Sequence, residues 1–373
     1  MILSIIKEDP RYERRVALTP PGVLAVSDLG LQVYVESGAG AGCHFDDEAY
    51  ESVGAEVLYD RDELFHRSDV ILKVSPPNES EAGLFQPSQV LLSFLHLAVA
   101  KTKVVDLLLD RGVTAIAYEL IEDRRGNLPI LQAMSEIAGE VSIEVAARYL
   151  GSEDGGRGII LGGIPGIPPA NVVIIGAGTV GCAAARAALG VGAQVTLLDK
   201  DIDRLRSVEQ QFRPRLTTAL ATPFNIRKAV QFADVLIGAV LIKGEKAPHL
   251  VTEDMVKRMK PGAVLIDVSI DQGGCIATSR PTTLAQPIFI QHGVLHYCVP
   301  NIPASVARSA SSALTNSLLP YLVEILEKGP DRALKENPGL GRGVCTYMNI
   351  CTNPAIGRLF SKEPTTLESV IPS

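Results

Sequence analysis

Short apolar runs alternate with amphipathic segments along the first third of the chain. The apolar runs, each a candidate strand, lie at Leu3–Ile6, Gln32–Glu36, Asp69–Val74, Val90–Leu95 and Thr114–Tyr118. Amphipathic segments such as Lys103–Arg111 lie between them and predict connecting helices. Because strands that alternate with helices form βαβ units, this region is predicted to fold around a mainly parallel sheet.

A long helical pattern follows, from Leu131 to Leu150. Its predicted buried stripe consists of Met134, Ile137, Ala138, Val141, Val145 and Tyr149, which recur at helical spacing. Glu136, Glu140 and Glu144 lie four residues apart on another face, which we expect to meet solvent or cations. The Gly- and Pro-rich stretch Gly155–Pro169 then interrupts the regular pattern.

The alternation resumes at Asn171. Strand candidates are Val172–Ile175, Gln194–Leu198, Val235–Ala239, Val264–Val268 and Leu295–Val299. A last helix is predicted at about Ser309–Lys328, with Leu314, Leu318, Leu322 and Ile325 on one face. We expect this helix to return the chain to the first domain. The predicted fold class is α/β, with two doubly wound, mainly parallel sheets. Residues 133–305 form a Rossmann domain, inserted in a discontinuous domain of residues 1–132 and 306–373, with a cleft between the two.

Composition and charge narrow the classes of partner. The 373 residues are 46% hydrophobic, which is enough for two cores. The net charge of −7, the mixed charges and the absence of Trp argue against nucleic acid as a partner. No apolar run approaches the roughly 20 residues of a membrane span, and the N-terminus does not read as a signal peptide. We therefore expect a cytoplasmic protein with no membrane partner. The six cysteines contain no Cys-x-x-Cys pair, so no metal site is predicted.

The sharpest local pattern is a glycine motif that follows a strand. Four β-favouring residues, Val172–Ile175, precede Gly176-Ala-Gly178-Thr-Val-Gly181, and the helical run Cys182–Leu189 comes next. The first glycine permits a tight turn, the second lets the backbone approach a pyrophosphate, and the third allows close packing of helix and strand. The predicted cofactor-binding residues here are Gly176, Gly178, Thr179, Val180 and Gly181. The alternative is a Gly-rich turn without a ligand.

The next strand supports a dinucleotide and favours NAD. It ends at Asp199, about 20 residues beyond the glycines, where a carboxylate can accept hydrogen bonds from ribose hydroxyls. The same carboxylate would repel a 2′-phosphate, which favours NAD over NADP. Lys200 and Arg204 lie nearby and weaken that preference.

Four polar residues in apolar surroundings are candidates for chemistry. His96 and Asp271 each follow a predicted strand at its carboxyl end, where ligands meet open α/β sheets. His96 could instead be a core histidine, and Asp271 a turn-capping residue. Arg15 lies between the first strand and the next helix and could be a plain surface charge. Lys73 interrupts an apolar strand, so it lies either at a sheet edge or in a cleft.

Taken together, motifs spread over almost the whole chain resemble those of the alanine dehydrogenases and, more distantly, the NAD-binding subunit of proton-translocating transhydrogenases. The matching segments are Glu13–Pro20, Phe94–Ala98, Ala115–Glu119, Met134–Gly139, Gly155–Gly158, Gly176–Gly181, Ile237–Leu241, Asp271–Cys275, Ser279–Thr283 and His296–Ser305.

The resemblance implies roles for the candidate residues. Arg15 matches the arginine that binds the substrate carboxylate, to which its planar fork is suited. His96 matches the general acid/base, and Asp271 matches a second catalytic residue that orients water or polarises His96. Positions around the cofactor are matched by Ser135, Asp199, Arg204, Val240, Leu241, Arg280 and Asn301. The resemblance also implies NAD as cofactor, a small-molecule substrate and a homohexamer.

One departure from the family concerns the substrate. The family usually has Lys-Val-Lys-Glu-Pro where this chain has Lys73-Val-Ser75-Pro-Pro, and the second lysine binds the substrate in that family. Residues 73 and 75 share one face of a strand, so we expect Lys73 to compensate in part. Arg15, Lys73 and Ser75 are accordingly the predicted substrate-binding residues. Some relatives carry a Glu and a His four apart for magnesium, where this chain has Glu324 and Lys328, so no metal is predicted.

The function implied by the resemblance is reversible, NAD-dependent oxidative deamination of L-alanine to pyruvate and ammonia. Ser75 leaves open the dehydrogenation of another amino acid. A transhydrogenase-like module that binds NAD(H) without turnover is a further alternative.

Overall fold

The structure is a computed structural model that describes residues 1–96, 101–212, 215–240, 247–360 and 362–371. The chain divides into two compact units. Unit 1 consists of Met1–Met134 and Val306–Ser373, and unit 2 of Ser135–Ser305. The second unit is therefore inserted within the sequence of the first.

In chain order, the strands of the described residues are β1 Ile2–Ile5, β2 Gln32–Glu36, β3 Glu56–Leu58, β4 Val70–Leu72, β5 Val90–Ser93, β6 Thr114–Ala117, β7 Asn171–Ile175, β8 Gln194–Asp199, β9 Leu216–Leu220, β10 Val235–Gly238, β11 Val264–Asp267, β12 Ile288–Gln291, β13 Val294–Tyr297, β14 Val344–Tyr347 and β15 Ile350–Cys351.

The helices are α1 Pro20–Ser27, α2 Asp47–Glu51, α3 Arg61–Arg67, α4 Glu79–Ala82, α5 Thr102–Asp110, α6 Pro129–Tyr149, α7 Thr179–Gly190, α8 Ile202–Phe212, α9 Pro223–Phe232, α10 Glu253–Val256, α11 Ala307–Lys328, α12 Pro330–Glu336, α13 Pro338–Gly341, α14 Pro354–Phe360 and α15 Leu367–Val370. Short 3₁₀ segments include Tyr118–Leu120 and Val268–Gln272.

Both sheets have the strand order of a doubly wound fold. In unit 1 the order is β15-β14-β6-β5-β4-β1-β2-β3, and the six strands from β6 to β3 run parallel. In unit 2 it is β12-β13-β11-β10-β7-β8-β9, with β12 as an antiparallel edge. In each sheet the strand order reverses beside the first strand, between β1 and β4 and between β7 and β10. The predicted α/β fold class with two mainly parallel sheets is confirmed.

Helix α11 anchors the loop that follows β1. Its apolar face, which includes Leu314 and Leu318, is fully buried. Its polar side chains reach the loop directly, because Val16 N donates to Ser311 Oγ at 2.9 Å and Thr19 N donates to Thr315 Oγ1 at 2.9 Å. Residues far apart in the sequence therefore fix the backbone on either side of Ala17.

The predicted elements agree with the structure in kind and differ at some positions. All ten predicted strands are present. Strands β3, β9, β12, β14 and β15 were not predicted.

The predicted helices also agree in part. In α6, Met134, Ala138, Val141 and Tyr149 are buried as predicted, whereas Ile137 and Val145 are half-buried. The helix predicted at about Ser309–Lys328 is present as α11, but the prediction that it is the last helix is wrong, because α12 to α15 follow it. None of the described helices combines the length and apolar character that a membrane crossing needs.

Strand β13 carries a fully buried histidine, His296. Its Nδ1 lies 2.9 Å from the carbonyl oxygen of Val294, and its Nε2 lies 2.8 Å from Thr278 Oγ1. The carbonyl can only accept, so Nδ1 carries the proton and Nε2 accepts from the hydroxyl. The ring stacks on Phe289, with the centroids 4.7 Å apart. Burial lowers the pKa of His296 below its usual 6.5, since the charged imidazolium is poorly solvated there.

This burial predicts a pH dependence of stability. His296 binds a proton less readily in the folded protein than in the unfolded chain, so stability should fall as the pH drops below 6.5. We expect His296→Gln to show a shallower decline of the melting temperature between about pH 7 and pH 5. His249→Gln, which replaces an exposed histidine of the same unit, should keep the wild-type slope. Equal slopes in all three proteins would contradict the assignment.

Candidate functional site

The candidate residues of unit 1 follow strands β1, β4 and β5 at their carboxyl ends. Arg15 lies in the segment after β1, Lys73 and Ser75 follow β4, and His96 follows β5. Strands β1 and β4 are neighbours at the point where the strand order reverses. Connections leave the sheet in opposite directions there, which opens a crevice for ligands in doubly wound folds.

Arg15 is buried and held in a fixed orientation. Its guanidinium makes a two-point contact with Glu13, with Nε 2.9 Å from Oε1 and Nη2 2.7 Å from Oε2. Nη1 lies 3.2 Å from the sulfur of Met134, and Cζ lies 5.7 Å from the ring centroid of Phe94. Arg15 is 3% exposed, so the surface-charge interpretation is wrong. These contacts use three of its five N–H bonds and leave one on each terminal nitrogen.

His96 has an exposed side chain at the end of the strand segment, so the core-histidine interpretation is wrong. Its ring stacks on Phe94, with centroids 5.7 Å apart and planes inclined by 13°. Its backbone has a positive φ of 46°, which is uncommon for a residue with a side chain. Glu119 supports this turn, because its carboxylate accepts hydrogen bonds from the N–H groups of Leu95 and His96. Phe94 thus contacts both Arg15 and His96.

Lys73 lies just beyond β4, a central strand, so it is not an edge residue. It is 1% exposed, and its ammonium lies 3.2 Å from Glu8 Oε2 and 3.1 Å from Glu81 Oε1. Arg61 bonds Glu81 from the other side, with Nη1 2.9 Å from Oε1. Burial raises the pKa of the Glu8 carboxyl, although Lys73 and the Val74 N–H act in the opposite direction. Substrate binding by Lys73 stays a prediction.

Ser75 lies between this buried network and the arginine. Its N–H donates to Glu8 Oε1 at 3.2 Å, and its hydroxyl donates to Glu13 Oε2 at 3.4 Å. The side chain is half-buried. Position 75 therefore lies beside the same carboxylate that holds Arg15.

In unit 2 the glycine motif forms the turn from β7 into α7. Gly176 has φ 109°, and a Cβ built on it would lie 2.2 Å from the carbonyl oxygen of Ala239. A Cβ on Gly181 would lie 1.9 Å from the carbonyl oxygen of Gly176. A Cβ on Gly178, at the N-cap of α7, would meet no atom of the described residues within 4 Å. The first N–H groups of a helix have no partner within the helix, so a turn with open space beside Gly178 fits a pyrophosphate.

Asp199, the last residue of β8, ties the glycine turn to the next loop. One carboxylate oxygen accepts from Ala177 N at 2.6 Å, and the other accepts from Asp201 N at 2.8 Å. Asp199 is buried, with 7% exposure. The carboxylate that was predicted to contact a ribose thus also fixes the turn before α7. Arg204 is exposed and pairs with Asp201 at 3.7 Å.

Two loops of unit 2 are joined by buried polar side chains. Val240 N donates to Ser269 Oγ at 2.9 Å, and Ser269 N donates to Asp267 Oδ1 at 3.1 Å. Asp267 also accepts from Cys275 N and Ile276 N, at 3.0 and 3.2 Å. Burial raises the pKa of the Asp267 carboxyl, while these hydrogen bonds lower it. Asp267 therefore holds the loop that follows β11.

Asp271 lies within that loop, on the 3₁₀ segment Val268–Gln272. Its carboxylate accepts from Asn301 N, at 3.0 Å to Oδ1 and 3.3 Å to Oδ2. Asn301 has φ 55°, a second positive value at a predicted site residue. Arg280 lies over the ring of Phe289, with Cζ 4.4 Å from the centroid.

The remaining predicted residues are Ser135, Thr179, Val180 and Leu241. Thr179 and Val180 open helix α7, and Ser135 is half-buried on α6. Leu241 lies outside the described residues. Sequence reasoning assigned no role to several supporting residues, which are Glu8, Glu13, Phe94, Glu119, Asp267 and Ser269. Glu13, Phe94 and Glu119 do fall in the motifs that carry the family resemblance, which was the available signal.

The Lys73 network yields a stability prediction. Lys73→Met removes the counter-charge of two buried carboxylates, so we expect a loss of about 3 kcal/mol in the free energy of unfolding at neutral pH. Lys103→Met is the matched control, since it breaks the exposed Lys103–Glu79 pair and should change stability little. Urea denaturation of the three proteins measures both effects. Small and equal losses would show that Glu8 and Glu81 do not depend on Lys73.

The glycine turn yields a binding prediction. Gly178→Ala should leave the melting temperature unchanged, because its Cβ meets open space, and should weaken NADH binding by at least about tenfold by blocking the pyrophosphate. Gly181→Ala should instead lower the melting temperature, because its Cβ collides with the backbone. Fluorescence titration with NADH and thermal melts separate the two. Unchanged NADH affinity in Gly178→Ala would place the dinucleotide elsewhere.

Comparison with known proteins assigns the family. Residues 4–138 match the family model "Alanine dehydrogenase/PNT, N-terminal domain", and residues 142–354 match "Alanine dehydrogenase/PNT, C-terminal domain". The alanine dehydrogenase of Methanococcus maripaludis is 45% identical over 372 residues and covers 100% of both chains. That of Mycobacterium tuberculosis is 44% identical over 347 residues and covers 93% of both chains.

Similar solved structures support the same family assignment. A structure titled L-alanine dehydrogenase has a TM-score of 0.92 and 40% identity, covering 97% of this chain and 99% of its own. A transhydrogenase from Sinorhizobium meliloti has a TM-score of 0.81 and 26% identity, covering 95% of this chain and 100% of its own. With both halves of the sequence matched by the two domain models, the chain belongs to the alanine dehydrogenase/PNT family.

Proposed function

We propose that this protein is an NAD-dependent amino-acid dehydrogenase that converts L-alanine reversibly to pyruvate and ammonia. The observation that carries the proposal is the cluster in unit 1, where Phe94 contacts both a buried arginine and an exposed histidine. A guanidinium, which is suited to binding a carboxylate, and an imidazole, which is suited to proton transfer, therefore contact the same ring. The names of the full-length relatives support alanine as the substrate.

Arg15 is assigned to the substrate carboxylate. Glu13 and Met134 take three of its N–H bonds and leave one on each terminal nitrogen. Two such N–H bonds can donate to the two oxygens of one carboxylate. Because Glu13 fixes the guanidinium plane beforehand, little side-chain entropy is lost when the substrate binds.

His96 is assigned to proton transfer. Its ring is exposed, so it can exchange protons with solvent, and Phe94 and Glu119 hold its position. In the oxidative direction the imidazole accepts a proton from the water that adds to the imine carbon. It then returns a proton to the nitrogen that leaves as ammonia. Asp271 is assigned to the second catalytic role, in which its carboxylate orients that water.

Unit 2 is assigned to the cofactor. Gly176, Gly178 and Gly181 shape the turn that would hold the pyrophosphate, and Asp199 would hold the adenosine ribose. Further cofactor contacts are assigned to Ser135, Thr179, Val180, Arg204, Val240, Leu241, Arg280 and Asn301. When bound, NAD accepts the hydride that leaves the substrate α-carbon. The proposal includes the homohexamer and the cytoplasmic location that the family resemblance implies.

A second candidate substrate class is another amino acid. Ser75 favours this alternative, because the side chain beside Glu13 carries no positive charge. A panel of amino acids assayed for NADH formation distinguishes it from alanine.

The central test is an initial-rate assay with alanine and NAD. His96→Gln should lower kcat at least about a hundredfold, since it removes the proton-transfer group. Asp271→Asn should also lower kcat. His249→Gln replaces an exposed histidine of unit 2 and should match the wild type. NADH titrations of each variant show whether cofactor binding is intact. A His96→Gln variant with activity within threefold of the wild type would overturn the assignment.

A further inference from the structure

The carboxylates around Arg15 outnumber the cations. Arg15 is neutralised by Glu13 through its two-point contact, with both side chains buried. Lys73 lies between Glu8 and Glu81 and has no positive charge to spare for a ligand. Among the described residues of this cluster, two cations thus face three carboxylates, so the cluster has no excess positive charge.

A charged side chain at position 75 would alter the balance of positive and negative charges around Arg15. The Ser75 hydroxyl is 3.4 Å from Glu13 Oε2, and its N–H is 3.2 Å from Glu8 Oε1. A cation at this position would face the carboxylate that holds Arg15 and would bring the positive charges of the cluster to the number of its carboxylates. Serine is polar but uncharged, so it stabilises Glu13 without changing the charge of the site.

The consequence for ligands follows from electrostatics. An anion that enters a partly buried site loses hydration, and a site without excess positive charge returns little Coulomb energy. A zwitterion brings its own ammonium, which the carboxylates of the cluster attract while its carboxylate binds Arg15. Attraction to the site therefore offsets more of the lost hydration energy for a zwitterion than for an anion of the same size.

We propose that Ser75 makes this site selective for the zwitterionic amino acid over the anionic keto acid and other simple carboxylates. The inference rests on the proposed function and deepens it, because it names the charge class of the preferred substrate. It assigns to position 75 a role in specificity, exerted through the charge beside Glu13.

The test compares propionate, which is alanine without its ammonium, with alanine itself on the NAD-loaded enzyme. In the wild type, the inhibition constant of propionate should exceed the KM for alanine by at least about tenfold. In Ser75→Lys, the propionate constant should fall about tenfold, and the KM for alanine should change less than about threefold. Ser75→Met has a side chain of similar length without charge and should keep the wild-type ratio.

Ionic strength adds a second readout. The gain in propionate affinity in Ser75→Lys should shrink as salt rises, because the gain is Coulombic. Equal improvement for propionate and alanine in Ser75→Lys would overturn the inference, as would the same change in Ser75→Met. If alanine is not turned over, the proposed function fails. Calorimetric titration of the three proteins with propionate and with alanine then decides the inference by itself.

Discussion

Charged groups can be buried only beside counter-charges, and unit 1 is organised around this constraint. Arg15 and Lys73 are nearly inaccessible to solvent, and each lies against glutamates that are buried as well. Removing a partner would leave a charge in a medium that solvates it poorly. The carboxylates therefore set where the cations lie before any ligand arrives, and Arg15 is oriented in advance for the groups it can still bind.

The two sheets place their ligand-facing segments by the same topological rule. In both, the strand order reverses beside the first strand, and the loops on either side diverge. Unit 1 uses that place for a guanidinium and, one strand further, an imidazole. Unit 2 uses it for a glycine turn at a helix start. The proposed substrate site and the proposed dinucleotide site thus share one arrangement of strands and differ in the residues that follow the strands.

Local sequence determined some features and tertiary contacts determined others. The turn Gly176–Gly181 was predictable, because close backbone approach demands glycine whatever the rest of the protein does. Strands β9 and β12 escaped prediction because they lie at a sheet edge, where their side chains are partly exposed and the apolar pattern is weak. The contact between Lys73 and Glu8 could not be predicted from the sequence, since the two residues lie 65 positions apart. Family motifs pointed to Arg15 and His96 as candidates. Their contacts with Phe94 could be seen only in the folded structure.

Unit 1 is completed by residues that are synthesised after the whole of unit 2. The backbone beside Arg15 is held by Ser311, and strand β6 pairs with β14, at Val344–Tyr347. The N-terminal segment therefore leaves the ribosome long before its partners exist, whereas Ser135–Ser305 is continuous and has all of its own strands. Since domains generally fold as units during synthesis, the inserted half is expected to assemble first. The unit that carries the guanidinium and imidazole then acquires its final shape only after β14 has been synthesised.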